Sequence, residues 1–396
     1  MGGRGMKAII HTKLILEEGI IFDGAILWEE GKILQLGKTD QVEIPAEAEI
    51  IDAQGLYTAP GFVDIHNHGS KEYLFSDEPT KCAEHFLRHG ETTVLPTFYM
   101  TLSREAMIQG AAKIRQASGC GAGKILAGLY MEGPYMAPFG SNQRDILWNG
   151  DICKEDYIPL VDALKDDARI WAICPTRAGI AEFMTYVKSQ NPNAIFALGH
   201  SLASAAQCRS VSHLGVKVQT HHNDSGKRAG LAQNTGGAGC DEYTLYNQDM
   251  YAELICDENG IHVEPDLIKM VVRIKGVERI ILITDSMAIS GDYKNNEEEG
   301  IAYGPDLNYD YEGHLAGSHL TLDNAVRNMM RHTGYGLCHA VRMASLNPAR
   351  LLGLDHEIGS LAPGKKANLI LMDDMVNIRS VFLEGQLAVQ DGELML

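Results

Sequence analysis

The middle of the chain alternates between short apolar runs and longer helix-like stretches, and this alternation restricts the fold more than any other feature. Eight of the runs have the length of buried strands: Phe62–Ile65, Thr92–Pro96, Ile125–Met131, Ile170–Cys174, Ile195–Leu198, Val216–Gln219, Tyr251–Ile255 and Ile280–Ile283. The helix-like stretches between them are Pro79–His89, Ser103–Ala117, Lys154–Lys165, Gly179–Ser189, Ala203–Leu214 and Pro265–Lys275. Strands that alternate with helices favour a parallel β/α structure, and eight such units predict a TIM-like (β/α)8 barrel. The main alternative is a doubly wound open sheet, but no G-x-G-x-x-G motif follows a strand here.

The two ends of the chain have a different pattern from the middle. Short β-like segments separated by turn signals occupy Ala8–Leu16, Ile20–Trp28, Ile33–Gly37 and Ile50–Ile51, and then Ala367–Met372, Ile378–Leu383 and Leu387–Val389. Chain termini often lie close together in a folded protein. We therefore expect residues 1–57 and 358–396 to build one small β-sandwich domain beside a barrel formed by residues 58–357.

Composition excludes several classes of partner. The chain has 34 Lys and Arg against 52 Asp and Glu, a net charge of −18, which disfavours binding to nucleic acid or to an anionic membrane. No apolar run reaches the roughly 18 residues of a membrane span, and the first residues lack the apolar core of a signal peptide. No C-x-x-C spacing occurs among the eight cysteines. These features predict a cytoplasmic protein with reduced cysteines.

Five of the predicted strands are followed by side chains that can bind metal. These side chains are His66 and His68, Glu132, His200, His221 and Asp285. Because the carboxyl ends of barrel strands form one face, we expect all of them to line a single mouth. Imidazole and carboxylate ligands suit zinc or a similar divalent ion. The competing interpretation, buried structural histidines, fits a lone histidine better than this set.

Asp285, one of these six residues, and His262, which is not, each have two interpretations, and the two for Asp285 do not exclude each other. Asp285 can take a proton from a metal-activated water and return it to a leaving group, or it can cap the start of a helix. His262 follows the seventh strand, where it is either a substrate contact or an ordinary loop histidine.

The motifs around these residues resemble the amidohydrolase superfamily, and within it the N-acetylglucosamine-6-phosphate deacetylases. The segment from Pro60 to Gly69 is similar to the first-strand motif of the superfamily, and Glu132-Gly133-Pro134-Tyr135 is more specific to the deacetylase branch. The resemblance continues through Gly199-His200-Ser201, Asp257–Val263, Thr284–Met287, Leu315–Ser318, Asn347–Arg350 and Gly359–Lys365.

This resemblance implies roles for particular residues. Glu132, His200 and His221 would bind the main metal, while His66 and His68 would hold a second ion that shares Glu132 and has Asp285 nearby. One or two divalent ions are expected, with zinc first and iron, manganese, cobalt or nickel as alternatives. His262 and the loop residues Leu315, Ala316, Gly317 and Ser318 would contact the sugar. A homodimer is also expected, because dimers are common in this family.

The sequence departs from the family in the segments expected to bind substrate. After His221 the chain reads His222-Asn223-Asp224-Ser225-Gly226-Lys227-Arg228, so Asn223 stands one position early and Asp224 adds a negative charge. Lys227 or Arg228 would supply the cations for a phosphate. Gln143 and Arg144 occupy a stretch where the family often has a histidine. The segment from 292 to 314 is either a mobile lid or a solvated loop.

The sequence therefore predicts a metal-dependent hydrolase that removes the N-acetyl group from an amino sugar, with N-acetylglucosamine-6-phosphate as the first candidate. The products would be glucosamine-6-phosphate and acetate. The alternatives are a deacetylase of another, possibly unphosphorylated, amino sugar, a D-amino-acid deacylase or a cyclic-amide hydrolase. A more distant alternative is a non-catalytic scaffold that keeps the barrel.

Overall fold

The structure, a computed structural model, describes residues 5–137, 140–141, 145–224, 236–288, 304–310 and 312–396. Its strands are β1 (Lys7–Ile15), β2 (Ile20–Glu29), β3 (Lys32–Lys38), β4 (Glu49–Asp52), β5 (Tyr57–Pro60), β6 (Phe62–Asn67), β7 (Glu91–Tyr99), β8 (Leu129–Glu132), β9 (Ala168–Ile173), β10 (Ile195–Leu198), β11 (Val216–Gln219), β12 (Tyr251–Ile255), β13 (Ile280–Ile283), β14 (Leu307–Tyr309), β15 (Leu315–Ser318), β16 (Leu369–Met372), β17 (Ile378–Leu383), β18 (Gln386–Gln390) and β19 (Glu393–Leu394). Its helices are α1 (Pro79–Arg88), α2 (Arg104–Ala117), α3 (Lys154–Leu164), α4 (Ile180–Gln190), α5 (Ala205–Ser212), α6 (Cys240–Tyr246), α7 (Pro265–Lys275), α8 (Leu322–Thr333), α9 (Leu337–Ala344) and α10 (Leu346–Leu351).

Strands β6 to β13 form the predicted barrel. Each of the eight strands pairs in parallel with its neighbour in chain order. The last strand, β13, approaches the first, β6. Just beyond β13, the backbone N–H of Asp285 donates to the backbone carbonyl of His66 at 2.9 Å. Behind that contact, the buried carboxylate of Asp64 accepts a hydrogen bond from Thr284 Oγ1 at 2.6 Å. The eighth strand is thus held against the first at the level where the metal-binding residues begin.

Both chain ends contribute to a second sheet, as predicted. Hydrogen bonds link nine strands in the order β19-β18-β17-β16-β5-β1-β2-β3, with β4 attached to β1. Neighbouring residues of β1 belong to separate apolar clusters. Ile9 packs in a cluster with Trp28 and Phe382, and Ala8 packs in another with Leu27. The two ends of the chain therefore fold as one unit. The sequence-based boundary after residue 57 falls inside β5, and the exact domain limits stay a prediction.

Several elements match the sequence-based assignment residue for residue, including β10, β11, β12, β13, β17 and α7. The third barrel strand is shorter than predicted. The apolar run from Ile125 breaks at Gly128, which has φ +131, so residues 121–125 form a 3-10 turn and the strand starts only at Leu129. Helices α6, α8, α9 and α10 were not assigned from the sequence. No helix within the described residues is long and apolar enough to cross a membrane.

Candidate metal centre

The six metal-binding candidates converge at the carboxyl ends of five barrel strands. His66 lies within β6 and His68 directly follows it, Glu132 ends β8, and His200, His221 and Asp285 follow β10, β11 and β13. All six are buried, with at most 7% of any residue exposed. The structure therefore brings together every metal-ligand candidate that the sequence indicated.

The first group of donors combines both first-strand histidines with two carboxylates. The ligand atoms of His66, His68, Glu132 and Asp285 all lie within 4.8 Å of one another. Nε2 of His68 is 3.2 Å from Glu132 Oε2 and 3.1 Å from Asp285 Oδ1. Nε2 of His66 is 3.7 Å from Glu132 Oε2 and 3.4 Å from Asp285 Oδ1.

The second group uses the other oxygen of the same glutamate. Oε1 of Glu132 lies 3.1 Å from His200 Nε2 and 3.0 Å from His221 Nε2, and these three residues form a separate candidate metal site. Glu132 is thus common to both groups, with one oxygen in each. Its position on β8, between the two pairs of histidines, makes this sharing possible.

Three of these residues have backbone angles that side chains other than glycine rarely adopt. The φ angles are +37° at His200, +26° at His221 and +49° at Asp285. Such strained backbone costs on the order of 1–3 kcal/mol per residue and is concentrated at functional sites. Each of these residues lies just beyond the end of its strand, where the backbone changes direction. All three side chains line the cavity at the mouth of the barrel.

The electrostatics of the cluster favour a cation. Burial acts to lower the pKa of His66, but the charges of Asp285 and Glu132 outweigh it and raise that pKa well above its usual value. Burial acts to raise the pKa of Glu132, yet His66 and the hydrogen bonds from His200 and His221 hold it well below its usual value. Glu132 is therefore ionised and attracts positive charge into the site.

The donor set fits a divalent metal. Nε2 of His66 is buried and makes no hydrogen bond, although it points among carboxylate oxygens. A metal ion would satisfy this nitrogen and compensate the buried carboxylates at once. Nitrogen and oxygen donors at these positions suit zinc and other first-row divalent ions.

Sequence reasoning missed a carboxylate behind the cluster. Glu253, in the middle of β12, is fully buried. Its Oε2 accepts from His66 Nδ1 at 3.1 Å and from the backbone N–H of His221 at 3.2 Å. It therefore fixes the proton of His66 on Nδ1 and leaves Nε2 free for a metal, as carboxylates behind ligating histidines commonly do. The only sequence signal was a single acidic residue inside an apolar strand.

We expect the substitution Glu253→Gln to weaken metal binding by about 10–100-fold, the usual cost of losing a group that orients a metal-ligating histidine. The loss should be greater for the ion held by His66 than for the ion held by His200. Chelator competition with metal analysis would measure both affinities. Glu91→Gln is a matched control, because Glu91 is also a fully buried carboxyl on a barrel strand but accepts from the Leu322 amide instead. Equal metal affinity in both variants would contradict the assignment.

A cavity of about 320 Å³ opens above the donors. It is lined by His68, Glu132, His200, His221 and Asp285, together with Tyr99, Gly140, Ser141, Asp224, Met287, His314, Leu315 and Gly317. Tyr99 ends the second barrel strand, where the sequence indicates no site residue. Its ring lies edge-on to those of His68 and His200, with centroids 6.0 and 5.9 Å away.

The four loop residues expected to contact the sugar, 315–318, divide into two sets. Leu315 and Gly317 line the cavity. Ala316 and Ser318 are buried in the wall behind it, where the Ala316 carbonyl accepts from Asn308 and Ser318 Oγ donates to the Thr284 carbonyl at 2.6 Å. These two residues support the loop instead of facing the cavity.

His262 is paired with the unexpected aspartate. Nδ1 of His262 lies 2.9 Å from Asp224 Oδ2, and Nε2 of His262 is buried without a hydrogen bond. Asp224 lines the cavity but directs this oxygen at a histidine, which lessens the repulsion that its negative charge would exert on a bound phosphate. Asn223, which precedes Asp224, has φ +66°, and its backbone N–H donates to Asp241 Oδ1 at 3.2 Å.

The remaining predicted site residues cannot be located, and one alternative role is left without support. Gln143, Lys227 and Arg228 lie outside the described residues, as does most of the 292–314 segment. Within residues 284–288 no helix follows Asp285, so its alternative role as a helix cap has no support there.

Comparison with known proteins agrees with the fold and the motifs. The sequence profile of the amidohydrolase family matches residues 57–388. The chain belongs to the amidohydrolase family. Among its relatives is an N-acetylgalactosamine-6-phosphate deacetylase of Escherichia coli O157:H7, 32% identical over 95% of this chain and 97% of that protein. An N-acetylglucosamine-6-phosphate deacetylase of Haemophilus influenzae is 24% identical over 96% and 98% of the two chains.

Solved structures of family members superpose over nearly the whole chain. The N-acetylglucosamine-6-phosphate deacetylase of Pasteurella multocida aligns with a TM-score of 0.83, at 24% identity, over 96% of this chain and 99% of that one. The enzyme of the same name from Thermotoga maritima aligns with a TM-score of 0.79, at 25% identity, over 97% and 99%. The barrel with its terminal β-sheet domain is therefore the shared architecture.

Proposed function

We propose that this amidohydrolase removes the acetyl group from an N-acetylhexosamine 6-phosphate, releasing acetate and the free amino sugar phosphate. The observation that carries the proposal is the shared glutamate. Glu132 offers one oxygen to His66 and His68 and the other to His200 and His221. These two groups of donors would hold one or two divalent ions, which would activate a water for attack on an amide.

A divalent metal bound here would lower the pKa of a water and polarise the amide carbonyl. The protein's own side chains would carry out the proton transfers. Asp285 stands at the mouth beside His68, where its carboxylate can accept the proton of the attacking water. Asp285 would then deliver that proton to the sugar nitrogen as the bond between this nitrogen and the acetyl carbon breaks. Water thus supplies one of the two oxygens of acetate and a proton of the amine, so the reaction balances.

Binding of the sugar would use groups on the rim of the cavity. His262 is not among the residues that line the cavity, but it pairs with Asp224, which is. With the proton of His262 held on Nδ1, its buried Nε2 would be the acceptor for a sugar hydroxyl. Leu315 and Gly317 offer a wall for the ring. The sequence places Lys227 and Arg228 shortly after Asp224, and two adjacent cations are suited to a phosphate dianion.

The galactosamine epimer is a second candidate substrate. Identity to the galactosamine enzyme of Escherichia coli is 32%, against 24% for the glucosamine enzyme of Haemophilus influenzae. The changed segment from His222 to Arg228 is the part of the chain where a different preference at the sugar would arise.

Three further features belong to the same proposal. Zinc is the proposed metal, supported by the mixture of imidazole and carboxylate donors. A cytoplasmic location is supported by the eight cysteines, all of which are free thiols. A homodimer is proposed from the resemblance to the family alone.

The test is acetate release from both N-acetylhexosamine 6-phosphates, from their unphosphorylated forms and from N-acetyl-D-amino acids. We expect kcat/KM to be higher for a phosphorylated sugar by on the order of 100-fold or more, because charge-assisted hydrogen bonds contribute about 1.5–3 kcal/mol each. Equal rates with and without phosphate, or faster release from N-acetyl-D-amino acids, would refute the phosphate assignment. Metal-loaded protein that releases no acetate from any of these substrates would indicate the scaffold alternative.

A further inference from the structure

A second cavity lies at the opposite end of the barrel from the metal centre. Its volume is about 750 Å³. Arg169 and Lys217 are the second residues of β9 and β11, Tyr251 is the first of β12, and Arg279 directly precedes β13. These are the amino-terminal ends of the strands, so the cavity is separate from the mouth that holds Glu132 and Asp285.

The charge of this cavity is opposite to that of the protein. Its lining has five basic side chains, Arg169, Lys188, Lys217, Arg279 and Arg350, and one acidic side chain, Asp249. The whole chain has 52 acidic against 34 basic residues. A concave surface lined by one sign of charge concentrates the counter-ion, here an anion.

Within the part of the chain that the structure describes, four of the five cations have no acidic partner. Arg350 lies 3.1 Å from Glu17 and 4.0 Å from Asp355. Across the described ranges, by contrast, no ion pair within 4.0 Å involves Arg169, Lys188, Lys217 or Arg279. Burial lowers the pKa of Lys188, and the nearby charge of Lys217 lowers it further.

Contacts that stabilise the fold explain the presence of only two of these four cations, Lys188 and Arg279. Lys188 donates to the Pro192 carbonyl at 3.0 Å, just past the end of α4, a position where a cation is favourable. The guanidinium of Arg279 lies 5.0 Å from the ring centroid of Tyr251, which holds it in place without neutralising it. Arg169 and Lys217 have neither kind of contact among the described residues.

We infer that this cavity binds a small organic anion carrying two phosphate groups. A phosphate monoester has a charge of about −1.5 to −2 at pH 7, so two of them would match the four unpaired cations. The volume is within the roughly 300–1,000 Å³ of small-molecule sites. Ile195, Leu351, Leu352 and Leu354 give one part of the wall an apolar character that suits the carbon skeleton of such a ligand.

The test uses fructose 1,6-bisphosphate as the probe, with titration calorimetry and thermal melting of the metal-loaded protein at low ionic strength. We expect saturable binding and a raised Tm, because a ligand that binds only the folded state stabilises it. Lys217→Glu and Arg279→Glu should each weaken binding by about tenfold or more, the equivalent of one charge-assisted hydrogen bond. Both variants should melt normally without the probe and release acetate at the wild-type rate.

Lys81→Glu is the matched control, since Lys81 is exposed on α1 and the substitution changes the net charge by the same amount. It should bind the probe like the wild type. The inference is overturned by an absence of binding to the wild type, by unchanged affinity in both cavity variants, or by an equal loss in Lys81→Glu. Acetate release is measured separately, so this result does not depend on the proposed function.

Discussion

Replacing Asp285 with Asn should lower kcat for acetate release by about 10²–10⁴-fold, the usual contribution of a general acid–base group. The amide has nearly the shape of the carboxylate but cannot take a proton from water or return one to the amine. His66, His68 and Glu132 remain as donors in the variant, and the amide oxygen can still face them. Metal content should therefore stay close to that of the wild type while turnover collapses.

Steady-state kinetics together with metal analysis would check this expectation. Asp323→Asn is a suitable control, because Asp323 is also buried and pairs with a histidine, His89, at 3.2 Å, but lies on α8 away from the cavity. This control should keep its kcat. Wild-type turnover in Asp285→Asn would remove Asp285 from the chemistry.

Substitution of Glu132 should have a larger effect on the metal than any other single change. Glu132→Ala removes one donor from each group, leaving His200 and His221 in one and His66, His68 and Asp285 in the other. Both ions should be lost at chelator concentrations that the wild type tolerates, and the affinity should fall by more than the roughly 10–100-fold expected for an orienting group. Glu132→Gln offers a single oxygen, so it should hold at most one ion.

Metal analysis after dialysis against a graded series of chelator concentrations would measure these affinities. The fold should survive, since among the described residues the carboxylate makes its hydrogen bonds and ion pairs only with the four histidine rings of its two groups. Retention of two ions with wild-type affinity in Glu132→Ala would show that the two groups of donors are not joined by this residue.

The sequence predicted the barrel because its signal is local. Buried strands such as Ile195–Leu198 and Ile280–Ile283 are short apolar runs between polar segments, and their ends are visible without knowing their neighbours. The six metal donors were predictable for the same reason, since each stands at or just beyond a strand end. The rule that barrel strands direct these ends to one face then brought them together.

The parts that were missed depend on contacts between distant segments. Glu253 is separated by 187 residues from His66, so nothing near it in the chain indicates that it orients a histidine. Ser318 has a side chain that suits a sugar contact, yet the fold turns it towards the Thr284 carbonyl. The cations of the second cavity lie on separate elements between Arg169 and Arg350, and only the folded barrel brings them together.

The most direct test of metal-dependent deacetylation is acetate release by protein stripped of metal and then titrated with zinc. N-acetylglucosamine-6-phosphate and its galactosamine epimer serve as substrates. We predict no turnover in the stripped protein, activity that rises with bound metal, and saturation at no more than two ions per chain, because the donors form two groups around Glu132. Full acetate release by the stripped protein, or none from either sugar after metal is restored, would contradict this account.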